Sequence, residues 1–210
     1  MEESKQVVLE LKDLKTHFVT RWGVVKAVDG VSFKLKKGET LGVVGESGSG
    51  KSVTSLSIMR LVPSPPGHIV GGKILLEGED ILQLSEKNMQ QVRGGRVAMV
   101  LQDPMTALNP VFNIENQVAE PLKIHKKMKG KDLKASIIEM LRKVRIPAPD
   151  IRVKDYPHQL SGGMRQRVIG AIGLSCNPAV LIADEPTTSL DATIQAQYLR
   201  LLRELQEETG

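Results

Sequence analysis

Three short stretches carry residue types that do chemistry together. The first is Gly45-Glu46-Ser47-Gly48-Ser49-Gly50-Lys51-Ser52, fed by the apolar run Leu41-Gly42-Val43-Val44. Gly45, Gly50, Lys51 and Ser52 fit the spacing G-x-x-x-x-G-K-[ST], with a strand-like run before and a helix-compatible segment, Val53 to Leu61, after. Glycines let successive backbone N–H groups turn inward and wrap phosphates. The helix that follows aims its unpaired N–H groups and positive dipole end at the same anion. Lys51 supplies a point charge for the β- and γ-phosphates, and the Ser52 hydroxyl suits Mg²⁺, a hard cation that prefers oxygen. Binding of a nucleoside triphosphate is the consequence.

The second stretch is Val180-Leu181-Ile182-Ala183-Asp184-Glu185, four apolar residues ending in two acids. Carboxylates at the end of a buried strand call for a cation or a proton. Asp184 suits Mg²⁺, directly or through water, and Glu185 is placed to polarise an attacking water. The third is Leu160-Ser161-Gly162-Gly163-Met164, where Ser and two glycines open a helix and make a second candidate anion site. Alone it is a weak signal; its position between the first two stretches gives it weight.

The elements that must hold these stretches follow from the apolar pattern. Val7 to Leu11 and Val31 to Leu35 read as strands, with Gly23 and Asp29-Gly30 as punctuation, and so predict an antiparallel layer ahead of the P-loop. Pro63 to Gly67 is a loop, Lys73 to Glu77 a strand turning at Glu77-Gly78-Glu79-Asp80, and Ser85 to Val92 a short helix ended by Arg93-Gly94-Gly95. Val97 to Leu101 is a continuous apolar run, expected in a strand buried on both faces of a parallel sheet. It delivers Gln102 and Asp103 to the carboxyl end of the strand. Residues 103–161 read as a largely helical insertion, with Ile137, Met140, Leu141 and Val144 at helical spacing. Ile194, Tyr198, Leu201 and Leu205 stripe a last helix. The expected architecture is α/β: a P-loop NTPase core of residues 1–102 and 162–210 with a parallel sheet and an N-terminal antiparallel β layer, interrupted by an α-helical subdomain, 103–161.

Composition narrows the class. The 210 residues fit one domain with an insertion, and a single cysteine, Cys176, excludes an internal disulfide framework. The opening residues are not a secretory signal, and no apolar run nears the roughly 20 residues of a membrane span. Lys plus Arg (29) exceed Asp plus Glu (24), a mild formal +5, with much of the excess in His125 to Lys131; this reads as a solvated loop, or else as a patch for nucleic acid or lipid headgroups. Scarce aromatics argue against base-stacking platforms. Phe18 and Trp22 stand out, and each could pack in a sheet or stack on a purine.

Order, spacing and flanks of these stretches together resemble the ATP-binding subunits of ABC transporters over essentially the whole chain. Gly45 to Ser52 resembles the Walker A loop, Gln102 the Q-loop glutamine, Leu160 to Met164 the family signature with Met where Gln is usual, Val180 to Glu185 the Walker B strand, and Ser189-Leu190-Asp191 the D-loop. Arg96 to Pro110, Tyr156 to Arg167 and Val25 to Phe33 are similar, more narrowly, to the peptide importer branch, which also contains nickel importers. The resemblance implies ATP and Mg²⁺ held between two subunits, so that Ser161, Gly162, Gly163 and Met164, with Asp191, meet nucleotide on a homologous partner subunit. It implies Gln102 at Mg²⁺ and the attacking water, Asp184 and Ser52 at Mg²⁺, Glu185 as general base, and Phe18 stacking on adenine with Trp22 as runner-up. It implies transmembrane permease subunits as partners, an extracytoplasmic solute-binding protein acting indirectly, a peripheral position on the cytoplasmic membrane face, and no nucleic acid. A nickel or other small-solute importer, or a non-transport ABC ATPase acting on nucleic acid, is the alternative. The family carries a switch histidine roughly 30 residues beyond the Walker B acids. His158 lies on the wrong side of them, and His17, His68 and His125 read as surface or local packing. The chain is therefore expected to be a fragment with impaired hydrolysis.

Overall fold

The computed structural model describes residues 6–100, 107–188 and 191–209 in two compact units, Met1–Gln90 and Gln91–Gly210, each taken here by itself. In the first unit β1 (Val7–Thr20) and β2 (Gly23–Lys36) form a long antiparallel hairpin; β3 (Gly67–Leu76) pairs with the other edge of β1, and the two-residue β4 (Glu79–Asp80) closes the order β2-β1-β3-β4. The hairpin turns at Arg21-Trp22. The Asp29-Gly30 pair, read from sequence as punctuation, lies inside β2, where Asp29 pairs with Lys15 beside a register shift. A bulge absorbs the positive φ of 89° at Gly30 without ending the strand. β1 is the central strand and supplies the buried Leu9, Leu11 and Leu14, which face Ile74 and Leu76 of β3.

Helix α1 (Lys51–Ile58) packs on this hairpin. The run Leu41–Val44, expected as a strand, has no strand pairing, and Val43 and Val44 are 55% and 93% exposed. A strand needs a neighbour for its N–H and C=O groups, and within this unit none of the described strands lies alongside it. Within this unit the apolar run is left without strand pairing.

The second unit is built around a parallel pair, β5 (Val97–Val100) with β6 (Val180–Ala183), in register Val97↔Val180 to Val100↔Ala183. β5 is buried as expected. β6 is less so: Val180 is buried but Ala183 is exposed. α2 (Glu86–Val92) leads into β5. Between the strands come α3 (Ile114–His125), α4 (Gly130–Lys143), α5 (Pro149–Arg152) and α6 (Gly162–Leu174); α7 (Ala192–Thr209) follows β6. One apolar core joins them, in which Val118, Ile137 and Leu141 meet Val100, Val168, Leu201 and Leu205. The stripe read in the last helix is real, with Tyr198, Leu201 and Leu205 buried. Among the described residues no helix is long and apolar enough to cross a membrane.

Candidate functional site

The glycine loop enters α1 through Gly50, which caps the helix in the left-handed region at φ 92°, ψ 5°. A Cβ there would lie 2.2 Å from the Ala27 carbonyl oxygen of β2, so the loop can press on the hairpin only with glycine at this position. Gly48 is also left-handed, at φ 82°, and Ser49 N–H closes a turn on the Glu46 carbonyl at 3.2 Å. Lys51 Nζ donates to the carbonyls of Gly45 and Glu46, each at 2.8 Å, which folds the ammonium over its own loop. Ser52 is exposed at the start of α1. Helix end, ammonium and hydroxyl thus converge in one turn, a donor set that fits a polyphosphate and an oxygen-seeking cation.

The helix is fixed from below. Thr54 Oγ1 donates to the Gly50 carbonyl at 2.9 Å, and Ser57 Oγ to that of Val53 at 2.7 Å. Phe18 of β1 pairs with Val25 of β2 and Gly67 of β3. A Cβ at Gly67 would lie 2.9 Å from its ring, so Phe18 is half-buried against the sheet. Val25 is two residues from Ala27, about 7 Å along the strand, which sets Phe18 within a nucleotide's length of Gly50. Trp22 sits at the hairpin tip, 80% exposed, with the Arg21 guanidinium 3.8 Å above its ring.

In the second unit β6 continues into the acids: Asp184 N–H donates to the Val100 carbonyl at 3.1 Å, so the parallel ladder runs to Asp184, which is half-buried. Glu185 turns out of the ladder at φ 45° and is exposed. Thr188 Oγ1 reaches both the Glu185 carbonyl and its Oε2, each at 3.2 Å. A non-glycine residue held at positive φ stores strain, which collects at functional positions. The sequence reading missed Thr188; a hydroxyl three residues past an acid at a strand end is the signal that finds it.

Ser161 caps α6, with its Oγ accepting from Met164 N–H at 3.3 Å, as its residue type predicts. Gly162 faces open space, while a Cβ on Gly163 would come 3.0 Å from Ile194 of α7. Asp191 Oδ1 accepts from the N–H groups of Thr193 and Ile194, at 3.1 and 3.0 Å, which makes it the cap of α7. Gln102 and Asp103, and Ser189 and Leu190 of the D-loop stretch, lie outside the described residues. Among the described residues no group of three or more His, Cys, Asp or Glu side chains is arranged to hold a metal ion. Any Mg²⁺ here would depend on phosphate oxygens as well as protein ones.

An antiparallel sheet, a parallel pair flanked by helices and a glycine loop opening a helix define the α/β class of P-loop nucleotide-binding proteins. The family is more particular: the model of the ABC transporter domain matches residues 28–188, and the chain belongs to that family. It is 54% identical over 201 residues to the oligopeptide transport ATP-binding protein OppD of Bacillus subtilis, covering 96% of this chain and 56% of that protein. It is 52% identical over 202 residues to the dipeptide transport ATP-binding protein DppD of the same organism, covering 96% and 60%. The chain thus spans little more than half the length of these curated relatives. A solved ATP-binding cassette, a dimer in a post-hydrolysis state bound to ADP and Pi, superposes with TM-score 0.83 at 27% identity, covering 96% of this chain and 84% of that one.

Proposed function

We propose that this chain is the nucleotide-binding part of an ATP-hydrolysing subunit of an ABC importer for dipeptides or oligopeptides, docked on the cytoplasmic face of the membrane against permease subunits. The observation that carries this is the 52–54% identity, across 96% of the chain, to proteins named for oligopeptide and dipeptide transport. A nickel or other small-solute importer is the reading to be displaced, since the ATPase motifs are common to both.

In this reading Gly45 to Ser52 hold the ATP phosphates, with Lys51 leaving its two carbonyl partners for the more strongly charged γ-phosphate. Phe18 covers the adenine. By the family resemblance Ser52, Asp184 and Gln102 would be the residues that serve Mg²⁺, and the ion would supply charge neutralisation to the phosphates. Glu185, aimed by Thr188, takes a proton from water. Ser161, Gly162, Gly163 and Met164, with Asp191, face the nucleotide of a homologous second subunit, identical or related, and a solute-binding protein outside the cell delivers the peptide. Residues 103–161 act as the helical subdomain through which the permease is engaged.

Titration calorimetry with MgATP tests the binding half of this reading. Lys51→Ala is expected to weaken affinity about 100-fold, the loss of a charge-assisted hydrogen bond worth up to ~3 kcal/mol. Unchanged affinity removes the loop from the phosphate-binding role.

A further inference from the structure

The turn joining α3 to α4 concentrates the chain's whole charge imbalance. Residues 123–134 hold six lysines, Lys123, Lys126, Lys127, Lys129, Lys131 and Lys134, against the single acid Asp132. That is the full formal +5 of the protein, so the remainder of the chain is balanced. All six are exposed. Several basic side chains elsewhere find acids, Lys34 with Glu10 at 3.1 Å, Arg152 with Asp155 at 2.9 Å and Arg203 with Glu207 at 3.2 Å, and no other stretch gathers so many exposed lysines against a single acid. None of the six lysines forms an ion pair with a described residue.

Folding explains only Lys123, in the last turn of α3, and Lys126, at its C-cap, where the helix dipole favours cations. Lys129 stands at the N-cap of α4 with no side-chain cap bond, and Lys131 is in its first turn. Cations at that end of a helix are repelled by its dipole. The turn itself is firmly seated: the N–H groups of Lys126 and Met128 both bond the Leu122 carbonyl, and Leu122 and Leu133 are in the core. Five residues of α4 span about 7.5 Å, so the cluster lies within about one Debye length of the turn at physiological salt. His125 contributes no charge at neutral pH. Its ring packs against Gly94 and Gly95, and burial, followed by the nearby Lys127 and Lys126, holds its pKa below the ordinary imidazole range.

We propose that this lysine turn is an electrostatic docking surface for the anionic phospholipid headgroups of the membrane. The composition chooses among polyanions. The segment has no arginine, the residue suited to bidentate phosphate and base recognition, and no aromatic for base stacking. Lysine point charges instead match a diffuse anionic plane. Ile124, 46% exposed among them, offers an apolar side chain to the headgroup boundary. The proposal leans on membership of a transporter family for the nearness of a bilayer, and it needs neither the peptide reading nor an intact nucleotide site.

Co-sedimentation with vesicles tests it, using phosphatidylcholine alone and phosphatidylcholine containing phosphatidylglycerol. The chain is expected to bind only the anionic vesicles, with affinity falling as salt rises. Lys126→Gln, Lys127→Gln and Lys129→Gln combined should lower the partition coefficient about 100-fold. Removing equal charge at Lys12, Lys34 and Lys143 should leave it near wild type. Equal binding to both vesicles, an unaffected triple variant, or equal losses in both triple variants would overturn the proposal. So would tighter, equally lysine-dependent binding of a single-stranded oligonucleotide, which would make the turn a nucleic-acid surface. MgATP affinity, measured alongside, is expected to stay constant in both triple variants; loss of MgATP binding by the wild type would instead refute the nucleotide reading and leave the vesicle result standing.

Discussion

Thr16 Oγ1 of β1 lies 2.8 Å from Ser57 Oγ of α1, and both side chains are fully buried. Because the one Ser57 hydroxyl proton goes to the Val53 carbonyl at 2.7 Å, Thr16 is the donor. The pair fastens the helix that follows the phosphate loop to the central strand of the sheet. Thr16→Val keeps the shape and removes the donor. It is expected to cost about 1–2 kcal/mol in urea unfolding, and Ser57→Ala should cost less on that background than in wild type.

Gly50 and Gly48 separate two reasons for needing glycine. Both are left-handed, at φ 92° and 82°, but a Cβ on Gly50 meets the Ala27 carbonyl at 2.2 Å and one on Gly48 meets nothing within 4 Å. Gly48→Ala should therefore cost about 1–2 kcal/mol of backbone strain. Gly50→Ala adds a clash with backbone that cannot swing aside, so its loss should exceed about 3 kcal/mol. Thermal unfolding of the two variants checks the order. Equal shifts would mean that the loop is free of the hairpin.

What the sequence disclosed depended on whether local pattern and long-range partner coincide. Val97–Val100 and Val180–Ala183 were legible because apolar runs of that length pair with each other. Leu41–Val44 has the same pattern, but the pattern carries no information about whether a neighbouring strand is present, and the segment is exposed. β1 and β2 were read as five-residue pieces because bulges between Leu11 and Lys15 break the alternation over what is a 14-residue strand in each case. At the site, capping by Ser161 followed from residue type. The Thr16–Ser57 tie did not, since 41 residues separate two hydroxyls that have no distinguishing context. The Asp191 cap was hidden differently: the resemblance implies a role for that residue toward nucleotide, and capping is a second role, in which its carboxylate accepts two α7 N–H groups.

The contact from Thr188 to Glu185 gives the acid a defined direction, and this separates binding from chemistry. Glu185→Gln keeps size and the Thr188 hydrogen bond but cannot take a proton. In the ATPase proposed above it should hold MgATP affinity within about twofold and lower turnover by roughly 10²–10⁴, the range of a general base. Thr188→Val should lower turnover less and leave the affinity unchanged. Steady-state hydrolysis beside calorimetry reads both, and normal turnover in the Glu185→Gln variant would remove the base role.

Tyr198 makes stability depend on alkaline pH in a way that can be isolated. Its side chain is 2% exposed between α6 and α7, and burial pushes the phenol pKa from 10.0 up to about 12; the neighbouring Gln166 offsets part of this without an aligned hydrogen bond. The folded protein therefore keeps the proton where the unfolded chain gives it up. Stability is complete below pH 10 and is lost as pH rises toward 12, by about 2–3 kcal/mol for two pKa units. Tyr198→Phe removes the ionisation and with it a buried hydroxyl that has no hydrogen-bond partner among the described residues. At pH 7 its cost should stay below about 1 kcal/mol. Burial raises the Cys176 thiol pKa as well, but that group is common to both proteins and cancels in the difference. Urea midpoints taken from pH 7 to 11 should therefore converge or cross, with the variant gaining on wild type only above pH 10; parallel curves would show that Tyr198 ionises as freely in the folded protein as in the unfolded chain.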